Sequence, residues 1–138
     1  MRTRMRGGAN MSKYNKPIPT ESQDQQALFR WAAYERAALP ELGMLYHIPN
    51  EGKRTIVTGA KMRAEGLKKG VPDICLPVAR GGYHGLYIEL KRVKNGTPVT
   101  EDQRAWIDAL NRCGYRAMVC RGFEAAQEAI IEYLRGGA

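Results

Sequence analysis

A chain of 138 residues, 43% hydrophobic and 26% charged with a net charge of +8, can bury one core and leaves little room for a second domain. No apolar run is long enough to cross a bilayer, and the basic start at Arg2, Arg4 and Arg6 meets Gly7-Gly8-Ala9-Asn10 rather than the apolar segment of a secretory signal. Three cysteines without Cys-x-x-Cys spacing and only two histidines make neither a zinc site nor a disulfide framework, so a reducing cytoplasm is the expected location.

Residues 1–19, with five basic side chains and no acid, read as a flexible basic arm, and 20–138 as one domain. Met11 is a second candidate for the natural start, and no function is attached to the arm. Thr20-Glu21-Ser22-Gln23 has capping-box spacing and predicts a helix with Leu28, Trp31, Ala32 and Leu39 on one stripe, ended by Pro40. Met44–Ile48 is a short strand. A weak helix is expected over Ala60–Glu65, within a stretch, 53–94, that carries ten basic residues against Glu65, Asp73 and Glu89. Such charge suits a polyanion, nucleic acid above all, and suits equally a solvated lysine-rich surface. Asp73–Ala79 and Leu86–Val93 form a hairpin across the turn Arg80–Gly85. Thr100-Glu101-Asp102-Gln103 opens a second capped helix, with Trp106, Ile107 and Leu110 inward. Tyr115–Arg121 is a strand and Phe123–Leu134 an amphipathic helix. The order predicts a small α/β domain, a mixed sheet covered by helices.

The strand Leu86–Val93 carries Glu89 and Lys91 two positions apart, hence on one face, while Ile88 and Leu90 point into the core. Charged groups on a mostly apolar strand are costly unless paired, hydrated or bound. In the preceding strand Pro72 cannot join the ladder, so Asp73 falls at the strand's start, and the hairpin carries it towards the end of Glu89 and Lys91. Two hard oxygen ligands and a cation are what phosphodiester hydrolysis uses: carboxylates hold Mg²⁺ or Mn²⁺, and a lysine stabilises the charged transition state. The alternatives are a cross-strand ion pair on an exposed face for Glu89 and Lys91, and turn chemistry for Asp73.

Pro72-Asp73 followed by Glu89-Leu90-Lys91 resembles the PD-(D/E)XK nuclease superfamily. More narrowly, Gly70-Val71-Pro72-Asp73, Glu89-Leu90-Lys91-Arg92 and the helix start at Gln103 resemble the VRR-NUC family over most of residues 20–135. The resemblance implies a restriction-endonuclease-like mixed sheet flanked by helices and a Mg²⁺- or Mn²⁺-dependent DNA endonuclease acting on branched DNA in the manner of a Holliday-junction resolvase. It implies Asp73, Glu89 and the Leu90 carbonyl as metal ligands, Lys91 as catalytic lysine, and Gln103 and Glu21 as further site residues. Helical spacing also puts Glu21 on the stripe of Leu28 and Ala32, although a first-turn glutamate equally complements the helix dipole. Gln103 has both a capping and an inward-facing position. Partners expected are DNA and a second copy of the chain, with no small-molecule cofactor and no membrane. Lys53, Arg54, Lys61, Arg63, Lys68 and Lys69 are the candidate phosphate contacts. With no base-reading motif present, shape selects the substrate. A non-catalytic nucleic-acid-binding module on the same fold is the alternative function.

Overall fold

Thr20 is extended, its hydroxyl accepts from the Gln23 amide at 3.1 Å, and the Gln23 side chain accepts from the Thr20 N–H at 2.9 Å. This reciprocal cap opens helix α1, Glu21–Glu35, in the computed structural model, which describes residues 16–49 and 56–136. The expected run to Leu39 is not realised. A proline disfavours helical backbone in the residue before it, so Leu39 turns to φ −125° and starts the 3₁₀ turn Pro40–Met44.

Strand β1, Tyr46–His47, is followed by helix α2, Ile56–Ala64, which starts four residues earlier than expected. Strand β2 is confined to Ile74–Leu76, because Pro77 has no N–H with which to continue the ladder. Strand β3, Leu86–Lys91, stops two residues short of Val93. Helix α3, Glu101–Arg112, has the expected reciprocal cap at Thr100, and strand β4, Arg116–Arg121, leads into helix α4, Phe123–Leu134. The sheet order is β1-β2-β3-β4, antiparallel except for the parallel pair β3–β4. A parallel step needs a crossover, which α3 supplies.

Leu86, Ile88 and Leu90 of β3 join Ile74 and Leu76 beneath Leu28 and Ala32 of α1 and Ala126 and Ile130 of α4. Each fully buried leucine or isoleucine there contributes on the order of 2–3 kcal/mol. Helix α3 packs on β4 from the other face, the one carrying Glu89, to which its Gln103 reaches. The Asn111 side chain bonds both the N–H and the carbonyl of Ala117, which occupies part of the open edge of β4.

Asp24 of α1 is buried, and its Oδ1 accepts from the Phe123 amide at 3.3 Å. Gly122, which precedes α4, offers no side chain, so the cap of α4 comes from another helix. The Arg92 guanidinium donates to the carbonyls of Ile18 and Pro19, fastening the end of the expected arm to the residue after β3. Among the described residues no helix is long and apolar enough to cross a membrane.

Candidate active site

The pairing Ile74↔Ile88 sets Asp73 across from Glu89, one step beyond the last hairpin pair. Asp73 is fixed by its surroundings. Its Oδ2 accepts from the Leu90 amide at 2.8 Å, its carbonyl accepts from the Ile48 amide at 2.6 Å, and His47 Nδ1 lies 3.2 Å from that carbonyl. A strand residue sends its carbonyl to the same side as its N–H, so the Leu90 carbonyl also faces the Asp73 side of β3. Gly70, at φ +89°, lets this segment pass close to α3: a Cβ there would lie 2.6 Å from the Asp102 carbonyl carbon.

Glu89 and Lys91 are 2% and 3% exposed, which removes the exposed cross-strand ion pair as an explanation. They are neighbours on one strand, with Lys91 Nζ 3.9 Å from Glu89 Oε2. Gln103 Nε2 donates to the same Oε2 at 3.3 Å, while Gln103 Oε1 accepts from the Thr100 N–H at 2.9 Å. Gln103 thus fills its capping and its inward position together. The other oxygen, Glu89 Oε1, is buried without a hydrogen-bond partner among the described residues. Burial first, and then the neighbouring Asp73 carboxylate, push Glu89 up to about 9, against the opposing pull of Lys91.

A divalent cation fits this environment. Two adjoining carboxylates repel one another, one oxygen is orphaned, and every donor is hard oxygen, the class preferred by Mg²⁺ and Mn²⁺. Among the described residues no three His, Cys, Asp or Glu side chains converge into a metal-holding group. Asp73 and Glu89 are the two carboxylates that the hairpin register sets side by side here.

With that geometry in place, the VRR-NUC domain profile matches residues 10–124. The chain belongs to the VRR-NUC domain family. A solved structure described as a VRR_NUC domain protein is similar to it at 30% identity and a TM-score of 0.74, covering 88% of this chain and 93% of the other. The mixed sheet and its helices are the VRR-NUC nuclease fold, and membership implies a nuclease-type function. No curated protein sequence matches the chain.

In this VRR-NUC chain Glu21, at the start of α1, feels both Lys91 and Asp73. Burial raises its pKa first, Lys91 lowers it, and Asp73 and Asp24 raise it again. Glu21 therefore lies in the field of the site and, among the described residues, joins no convergent three-carboxylate set. Lys61 and Arg63 are exposed on α2, and exposed Lys68 and Lys69 follow it on the way to Asp73. Lys69 stands 4.0 Å from Asp102. Lys53 and Arg54 lie outside the described residues.

Sequence reasoning missed Thr97, whose hydroxyl accepts from Lys91 Nζ at 3.2 Å. It lies in the loop after β3, and its spacing carries no periodic signal. It also missed Asp24, for which a signal exists: Asp24, Leu28 and Ala32 repeat every four residues on the buried stripe of α1.

Proposed function

We propose that the chain is a Mg²⁺- or Mn²⁺-dependent endonuclease that hydrolyses phosphodiester bonds in DNA. The observation that carries this reading is the buried Oε1 of Glu89 beside Asp73, without a hydrogen-bond partner among the described residues. Asp73, Glu89 and the Leu90 carbonyl would hold the cation. Bound there, the ion supplies an acidified water and neutralises charge on the phosphate oxygens.

The chain's own residues do the rest by position. Gln103 and Lys91 both engage Oε2 of Glu89, which leaves Oε1 free for a ligand. Lys91, held between Glu89 and Thr97, keeps a positive charge where negative charge builds on the transferring phosphoryl group. The Leu90 amide bonds to Asp73 Oδ2 and fixes the orientation of that carboxylate. Glu21 adds negative potential at the rim. Exposed Lys61, Arg63, Lys68 and Lys69 supply phosphate contacts without base readout, as Lys53 and Arg54 do on sequence grounds.

Branched DNA, cut as by a Holliday-junction resolvase, is the substrate we favour, with the chain acting as a homodimer in the cytoplasm. Two symmetric incisions call for two sites, and no base-reading motif is present. The test is cleavage of four-way junctions and matched linear duplexes in Mg²⁺ or Mn²⁺. Expected is junction-selective cutting that ends on chelation and in Asp73→Asn and Lys91→Ala. Cutting that survives either would overturn the assignment, and salt-dependent binding without turnover would assign the chain to the non-catalytic alternative.

A further inference from the structure

The face of the sheet that carries Asp73, Glu89 and Lys91 continues into a row of aromatic side chains. Cys75 follows Asp73 by two residues on β2, and Tyr87 precedes Glu89 by two on β3. The pairs Tyr46↔Cys75 and Cys75↔Tyr87 align Tyr46, Cys75 and Tyr87 across three strands. Tyr115 meets the Tyr87 ring edge-on at 5.4 Å and 76°, and His84 meets Tyr115 at 5.5 Å and 68°. None of these five joins the apolar core under α1 and α4. Tyr46 is 47% exposed, His84 is exposed, and Tyr87 and Tyr115 are half-buried.

We propose that Tyr46, Tyr87 and Tyr115 form a stacking platform for bases next to the scissile phosphate. This rests on the DNA-cleaving function proposed above. Two residues of a strand span about 6.6 Å, so a base adjoining a phosphate at Asp73 and Glu89 falls over this row. Aromatic faces stack any base, which suits a chain without base-reading elements. Charge favours DNA over a second copy of the chain as the occupant. With a net charge of +8 the chain draws a polyanion towards it, whatever other surface a second copy uses.

The test is binding of single-stranded and junction DNA carrying 2-aminopurine, read by quenching and affinity in chelator so that no turnover is needed. Stacking predicts quenching, and Tyr46→Ser should relieve it and weaken affinity about 5- to 100-fold. Tyr46→Phe keeps the ring and should keep both, which separates lost stacking from misfolding. Unchanged quenching and affinity in Tyr46→Ser overturn the platform. So does a Tyr46→Ser chain that changes only from dimer to monomer, which would assign the face to a second copy. Failure of the cleavage assay with quenching intact removes the nuclease function and leaves the platform standing; normal cleavage without quenching removes the platform alone.

Discussion

Gln103 is tied to Glu89 through the same side-chain amide that caps its own helix: Oε1 faces the Thr100 N–H and Nε2 faces Glu89 Oε2. Helix start and candidate site are therefore set by one group. Gln103→Glu separates the two roles. A glutamate caps as well as a glutamine, so the thermal midpoint should stay within about 2–4 °C. The new carboxylate would face Glu89 instead of donating to it, and cleavage should fall at least about tenfold, a loss on the order of 1.4 kcal/mol in transition-state stabilisation. Scanning calorimetry and initial rates check this pair. Equal losses of stability and rate would reduce Gln103 to a cap.

The position of Glu89 also makes a signed statement about pH. Its folded value is raised from 4.5 to about 9, by burial first and Asp73 second. Between those two values the folded chain holds a proton that the unfolded chain releases. The contribution of Glu89 is thus fully present below the unfolded value and is lost as pH rises through the folded one. Metal-free chain should lose thermal stability from about pH 5 to pH 9, and Glu89→Gln should flatten that slope. Binding of Mn²⁺ near neutral pH should release protons, because the ligand must be ionised to coordinate. Titration calorimetry in buffers of different ionisation enthalpy measures the release. Binding without proton release would mean that Glu89 is already ionised or is not a ligand.

Asp24 gives a prediction confined to stability. It caps α4 from α1 through the Phe123 amide, while its Oδ2 is buried with no partner among the described residues. Asp24→Ala removes the cap and should cost about 1–2 kcal/mol in urea denaturation. Asp24→Asn keeps an acceptor for Phe123 and relieves a buried charge, so it should cost less than the alanine. The reverse order would show that the charge at the α4 terminus outweighs its burial.

What the sequence made legible here was short-range. Both capping boxes depend on contacts three residues apart, and both are present at Thr20 and Thr100. The spacing of Glu89 and Lys91 needs only the two-residue period of a strand, and one hairpin turn carries Asp73 to them. Helix α4 has the bounds its apolar stripe predicted. The errors had one local source and one distant source. Leu39 looked helical by period, yet Pro40 fixed its backbone otherwise. Asp24 carried no assigned role, yet it pairs with a residue 99 positions away. Lys91 was visible as a candidate, but the hydroxyl that holds it was not.

That hydroxyl belongs to Thr97, and its position depends on the loop after β3. Asn95 adopts φ 58°, and Gly96 passes so close to Arg92 that a Cβ there would sit 2.8 Å from the arginine Cβ. Arg92 in turn is anchored to Ile18 and Pro19, so the loop is braced from the start of α1. Thr97 then accepts from Lys91 Nζ and limits where the ammonium can swing. Thr97→Val keeps the shape and removes the acceptor. We expect kcat to fall about tenfold with KM within about twofold, the pattern of an interaction that acts in the transition state rather than in substrate binding. Thr97→Ser restores the acceptor and should restore most of the rate. A raised KM with kcat unchanged would instead make Thr97 a contact for the DNA, and a serine variant as slow as the valine would remove the hydroxyl from the explanation altogether.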